Sequence, residues 1–157
     1  LNLSTSFLKE LEKRIILFYT GEPHTSGNMV GAQVDSYLKN KADSKKSLDS
    51  LKSIAYQMKD AIRAENFEEL GELLTNDWKE KTQFNPLITT DYMRDLHRLV
   101  MEKGGIGGRV CGAGGGGCMF WIIPPKKRNE LISKLKGTPG RLINFKFVNK
   151  GLEITNI

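Results

Sequence analysis

The chain has 157 residues, enough for one domain with a substantial core, and its 39% apolar, 27% charged composition is that of a globular protein. No apolar run approaches the roughly 18 residues that a membrane-spanning helix needs. The net charge of +6 is spread among acidic residues, without the dense Lys/Arg stripe and interleaved aromatics of a nucleic-acid binder. Neither a nucleic acid nor a membrane is therefore expected as a partner, and the positive surplus suits phosphorylated small substrates equally well. No signal peptide is visible and the sequence opens at Leu1 without a methionine, so a cytoplasmic fragment of a longer protein is expected.

In chain order, Ser4, Thr5 or Ser6 can cap a short helix in SFLKELEKR. Arg14 to Thr20 is a nearly continuous apolar run, which predicts a central strand buried on both faces. Gly21 to Gly27 breaks it, and Ser26 can cap a helix to about Asn40 with Met29, Val30, Gln33, Val34 and Tyr37 along one side. The longest helix is predicted over Ser44–Ala64, with Leu48, Leu51, Ala55, Met58 and Ile62 as its apolar stripe. Phe67–Lys81 follows with Phe67, Leu70, Leu73, Leu74 and Trp78 inward, Asn66 as N-cap and Glu69 completing a capping box. After an Asn85-Pro86 turn, Thr89 or Thr90 starts a helix to about Lys103, and Gly104-Gly105 stops it. Tyr92, Met93, Leu96, Leu99 and Val100 form its core side.

Nine of the sixteen glycines then fall between Gly104 and Gly117. Two strand-like runs, Ile106–Cys111 and Cys118–Ile123, bracket the loop Gly112, Ala113, Gly114, Gly115, Gly116, Gly117. Read literally, Gly112, Gly114 and Gly117 spell the dinucleotide fingerprint G-x-G-x-x-G. That mechanism needs a helix opening after the loop, and here a strand follows. A Walker A loop is excluded because no Gly-Lys-Ser/Thr closes the run. What stays open is a plain hairpin connection or an anion-binding loop whose bare backbone N–H groups meet a partner surface. Six small residues in a row are costly to order unless the backbone itself has a task, which favours the second.

Pro124-Pro125 ends the strand run, Lys126–Lys136 reads as a helix, and Gly137–Gly140 as a turn. Leu142–Val148 alternates, placing Phe145 and Phe147 toward the core, and a last strand is expected over Leu152–Thr155. The sum is one α+β domain over residues 1–157, a ferredoxin-like antiparallel sheet with several packed helices. Cys111 and Cys118 can face each other across the hairpin, yet in a reducing compartment they read as small buried hydrophobes. His24 and His97 are isolated and no CxxC pair occurs, so no metal site is expected on this chain.

The run Gly107-Gly-Arg-Val-Cys-Gly-Ala-Gly-Gly-Gly-Gly-Cys118 resembles the third signature motif of the GHMP kinases. Leu17–Gly21, Trp78–Lys81, Asn85–Thr89 and Arg141–Phe147 resemble the heptose kinase branch of that family, which phosphorylates the anomeric hydroxyl of D-glycero-D-manno-heptose 7-phosphate. The resemblance covers nearly the whole chain but only the C-terminal half of such a kinase. The Pro-x-x-x-Gly-Leu-Gly-Ser-Ser-like ATP motif and the region carrying the acidic catalytic residue are absent from residues 1–157. What the resemblance implies is a substrate-side domain, inactive alone, with no catalytic residue of its own. ATP and Mg2+ would be held mainly by an N-terminal domain of the same protein, and the acceptor would be a phosphorylated sugar. Gly112–Gly117 would close over the phosphates, and Lys81 and Arg109 would face the cleft. Thr20, His24 and Ser26 would contact sugar hydroxyls, although a basic residue is expected where His24 stands. Lys81 reads equally as a solvated charge, Thr20, His24 and Ser26 equally as capping and turn residues, and Trp78 as core. The rival function is a stand-alone ferredoxin-like ligand-binding or regulatory module. RNA binding on the sheet face is disfavoured by the inward phenylalanines.

Overall fold

The computed structural model describes residues 1, 3–23, 31, 34–35, 38–39, 41–148, 150–152 and 154. Helix α1, Thr5–Arg14, is capped by the Ser4 side chain, which accepts the Phe7 N–H at 3.1 Å. It buries Phe7 and Leu11, one turn apart, and runs without a break into β1, Ile15–Tyr19. Most of the helix expected over 26–40 lies outside the described residues; Gly31, Val34, Asp35, Leu38 and Lys39 within it are helical. Helices α2, Lys41–Arg63, and α3, Phe67–Phe84, follow, the latter with the expected Asn66 cap. Asn66 accepts the Glu69 N–H at 3.1 Å and donates back to its carboxylate at 3.0 Å. A 3-10 turn, Pro86–Ile88, leads to α4, Asp91–Glu102, capped by Thr90. Strands β2, Gly107–Val110, and β3, Cys118–Ile122, form the hairpin that carries the glycine loop. A second 3-10 turn, α5 at Arg128–Lys136, and β4 at Arg141–Ile143 complete the described elements.

The sheet order is β2-β3-β1-β4, antiparallel throughout, with Ile16 opposite Trp121, Val110 opposite Met119 and Phe18 opposite Leu142. This is the split βαβ arrangement: β1 is parallel to β2 with β3 between them. The α+β class and the ferredoxin-like sheet are as expected. Alternation along the strands sends Ile16, Phe18, Met119, Trp121 and Val110 to one face, under α4 and α5. Ile15, Phe120 and Ile122 point to the other, where α1, the end of α2 and the start of α3 cover them. Helix α3 comes close because two glycines meet. A Cβ on Gly107 would lie 1.8 Å from the Gly71 carbonyl oxygen. Among the described residues no helix is long and apolar enough to cross a membrane.

Three expectations need correcting. Helix α2 presents Leu51, Ile54, Met58, Ala61 and Ile62 inward, while Leu48 and Ala55 of the expected stripe are exposed. The sequence has apolar residues at helical spacing on two neighbouring faces, and α3 selects one of them. The closing hairpin is not seen among the described residues: β4 stops at Ile143, 144–148 belong to no strand, and Asn149, Glu153 and Thr155 of the expected turn and last strand lie outside them. Leu152 and Ile154 lie outside any strand, and Phe147 is 41% exposed rather than in the core, with Phe145 half-buried. The cause lies on the edge of β1. Arg14 and Thr20 turn their backbone groups to β3, so Ile15 turns its own toward β4. The Arg128 guanidinium takes the Ile15 carbonyl at 2.6 Å, where a longer β4 would bond, and the Lys13 carbonyl of α1 at 3.0 Å.

Candidate active-site cleft

Five of the six loop residues are glycines with positive φ: Gly112, Gly114, Gly115, Gly116 and Gly117. Such a path is closed to most side chains and lets the loop fold down on its neighbours. The Gly115 N–H donates to the Ile88 carbonyl at 2.7 Å and the Gly117 N–H to the Glu22 carbonyl at 2.8 Å. A Cβ on Gly114 would stand 2.3 Å from the Ile88 oxygen, and one on Gly116 2.8 Å from the Glu22 oxygen. Thr20 fastens the far end: it is buried, and its N–H and hydroxyl both donate to the Gly117 carbonyl at 2.9 Å. The same hydroxyl accepts the Glu22 N–H at 3.2 Å. Glu22 in turn accepts from the Thr90 hydroxyl at 2.7 Å, tying the end of β1 to the start of α4. The loop is thus fixed by carbonyls, and among the described residues the N–H groups of Gly112, Ala113, Gly114 and Gly116 are not so engaged. A glycine loop whose backbone amides are free of side chains suits an anion.

At the base of the loop, on the face of the sheet under α3, Arg109 of β2 meets Asp77 and Lys81 of α3. Arg109 donates to the buried Asp77 carboxylate, and its Nε donates to the Val110 carbonyl at 3.0 Å. Lys81 Nζ sits 3.3 Å from the same carboxylate. Two cations share one anion, leaving a positive surplus in a half-buried place. Burial, and then the Arg109 charge, push the Lys81 ammonium below its ordinary range, with Asp77 partly offsetting both. The structure therefore brings Lys81 and Arg109 together through a residue the sequence reading missed. The signal was present in the four-residue spacing of Asp77 and Lys81 on a helix. His24 and Ser26 lie outside the described residues. Cys111 and Cys118 are free, half-buried thiols rather than core residues, and burial pushes the Cys111 thiol up. Their backbones pair across the hairpin, Cys111 N–H to Cys118 carbonyl at 2.8 Å.

On the other face, His97 of α4 accepts the Trp121 indole N–H at its Nδ1, 3.2 Å away, and lies edge-on to Trp78 with ring centroids 4.9 Å apart. Burial, assisted by the Lys79 charge, holds the imidazole down to about 4. It is a neutral packing residue at physiological pH.

With the loop and the charge cluster in view, the family comparison is decisive: a profile described as GHMP kinases C terminal matches residues 58–140, a span that contains both. The chain belongs to the GHMP kinase family. It carries the family's C-terminal domain. A D-glycero-alpha-D-manno-heptose 7-phosphate kinase from Campylobacter jejuni is 27% identical over 98% of this chain and 44% of its own length. A mevalonate kinase from Thermococcus sibiricus is also 27% identical, over 96% of this chain and 46% of its own. This GHMP domain therefore spans less than half the length of the curated relatives it matches. Among solved structures, a putative sugar kinase from Campylobacter jejuni superposes with a TM-score of 0.66 at 26% identity, over 96% of this chain and 41% of that one. The L. major mevalonate kinase solved with R-mevalonate shares the fold, with a TM-score of 0.73 over 78% of this chain and 37% of that one at 17% identity.

Proposed function

We propose that this GHMP domain is the substrate-side half of an ATP-dependent kinase that phosphorylates the anomeric hydroxyl of a heptose phosphate or a related sugar. The observation that carries this is the glycine loop, held to Ile88 and Glu22 and following directly on the strand that carries Arg109 of the Asp77–Lys81–Arg109 cluster. The match to a heptose phosphate kinase over 98% of the chain supports the sugar assignment. Phosphoryl transfer depends on positioning and on neutralising the charge of the transferred group, and these are the groups this chain brings to it. The loop amides would face the phosphates. Lys81, the more exposed of the two cations, would meet the phosphate of the acceptor, with Asp77 and Arg109 fixing its position. Thr20, its hydroxyl spent on Gly117 and Glu22, serves by holding the loop to β1. Mg2+, which neutralises charge on the nucleotide, and ATP itself would be held mainly by the N-terminal half, as the family resemblance implies.

The test is to incubate the full-length polypeptide with Mg2+ and ATP and either a heptose 7-phosphate or mevalonate. Transfer to the sugar is expected, and transfer to mevalonate alone would overturn the assignment. In the same assay Lys81→Ala should raise KM for the sugar phosphate about tenfold or more while leaving KM for ATP little changed, because one charge-assisted contact is lost. An equal effect on both substrates would return Lys81 to a structural role.

A further inference from the structure

The two tryptophans of this chain are served unequally. Trp121 donates its indole N–H to His97 Nδ1 at 3.2 Å. Trp78 is 5% exposed, and its indole N–H has no acceptor among the described residues. A buried donor left unpaired is costly. Trp78 lines a cavity of about 180 Å³ between α3 and α4, together with Thr75, Lys79 and Thr82 of α3 and Arg94 and His97 of α4. His97 adds a second donor. Its Nδ1 is spent as an acceptor and the imidazole is held neutral, so the proton stands on Nε2, which has no partner among the described residues. Two cations complete the lining. The Lys79 charge reaches the imidazole, and no carboxylate among the described residues pairs with it. Arg94 is paired with the exposed Asp91 of its own helix. Among the described residues no carboxylate lines the cavity. The hydroxyls of Thr82 and of Thr89, which also borders it, donate to the Lys79 and Thr90 carbonyls at 2.9 and 3.3 Å.

We infer that this cavity is a binding site for a small organic carboxylate, carried on a body about the size of one aromatic ring. An apolar cavity of about 150 Å³ holds benzene, so about 180 Å³ leaves room for a ring and its carboxylate. The Trp78 and His97 rings, edge to face with centroids 4.9 Å apart, give the body an apolar wall. Their N–H groups and the two cations give the carboxylate donors, which is the combination of apolar surface and few polar anchors that small-molecule sites use. At about 3.6 residues per turn, Thr75, Trp78, Lys79 and Thr82 share one side of α3. Asp77 and Lys81 fall on another, where Arg109 meets them. The site is therefore separate from the proposed transfer cleft, whichever acceptor the kinase takes.

The test is a titration of the full-length polypeptide with sodium benzoate, read by calorimetry and by NMR of the indole N–H groups. The Trp78 signal is the one that Trp78→Phe removes. A saturable shift of that signal is expected, with Kd in about the millimolar range that suits so small a ligand. Benzyl alcohol, the same ring without the charge, should bind at least about tenfold more weakly. Benzoate should lose affinity by about the same factor in the protein carrying both Lys79→Gln and Arg94→Gln. Both cations are exposed, so this variant should fold and be readable by calorimetry even where Trp78→Phe does not fold. No saturable response up to about 50 mM benzoate would overturn the site. Equal binding of benzyl alcohol and benzoate would reduce it to an apolar void. Unchanged benzoate affinity in the double variant would place the ligand elsewhere and overturn the site equally. Direct displacement of benzoate by ATP or by a heptose phosphate would merge the cavity with the cleft and overturn its separateness.

Discussion

Alanine placed at two neighbouring loop glycines separates backbone strain from close packing. Gly112 and Gly114 both lie in the left-handed region, with φ of 65° and 84°. A Cβ at Gly112 would meet nothing within 4 Å, so Gly112→Ala costs the backbone preference alone, about 1–2 kcal/mol. At Gly114 the same preference applies, and the new carbon would also stand 2.3 Å from the Ile88 oxygen and 2.7 Å from its Cγ2. Reaching 3.0 Å, the shortest spacing that real Cβ atoms show, requires the oxygen to recede by 3.0 − 2.3, or 0.7 Å. That oxygen is held by the Gly115 N–H at 2.7 Å. Either the contact is absorbed as overpacking, about 1–3 kcal/mol, or the loop lifts and forfeits the hydrogen bond, about 1 kcal/mol. Gly114→Ala should therefore cost about 2–5 kcal/mol, which is about 1–3 kcal/mol more than Gly112→Ala. Urea denaturation at unchanged m reads the difference directly. Equal losses at the two positions would show that the loop does not rest on Ile88. In the full-length kinase Gly114→Val should lower turnover by about a hundredfold while the enzyme stays folded, since a displacement near 1 Å is enough to misplace reacting groups. Normal turnover would remove the loop from the mechanism.

The other expectations concern the core on either face of the sheet. Gly107→Ala puts a carbon 1.8 Å from the Gly71 carbonyl, and main chain on both sides prevents easy relief. Helix α3 must lift from β2, at a cost of about 3 kcal/mol or more, seen as a fall in Tm of about 6 °C or more. A shift below about 2 °C would mean that α3 is not seated there. His97 gives a pH signature. Its folded value, about 4, lies below the ordinary 6.5, so the stability it contributes is fully present above about pH 6.5 and lost as pH falls toward 4. The upper bound is about 3 kcal/mol, reduced by its partial exposure. His97→Gln, which keeps an acceptor for Trp121, should remove that part of the acid sensitivity, and parallel stability–pH curves for the two proteins would refute it.

Helices α3 and α4 could be placed from the sequence because their caps and apolar spacing are local. Asn66, Glu69 and Thr90 act within one turn of themselves, and Leu70, Leu73, Met93 and Leu96 repeat at helical period. The glycine loop was legible for a similar reason: a run of residues without side chains constrains backbone conformation wherever it is placed. The alternation after Leu142 was equally plain, and there the local signal misled. Whether a strand pairs depends on which carbonyls remain free on its neighbour, and Arg128 had taken that of Ile15 across a separation of more than a hundred residues. Asp77 eluded the sequence reading similarly, because its role depends on α3 lying against β2 through Gly71 and Gly107. What the sequence alone determined is the capped helices α3 and α4 and the glycine hairpin, each held by neighbours within a turn or a hairpin, and the family motif with them. What only the tertiary structure decided is how distant side chains divide a limited set of backbone acceptors and charges, because each donor taken by one partner is closed to the next.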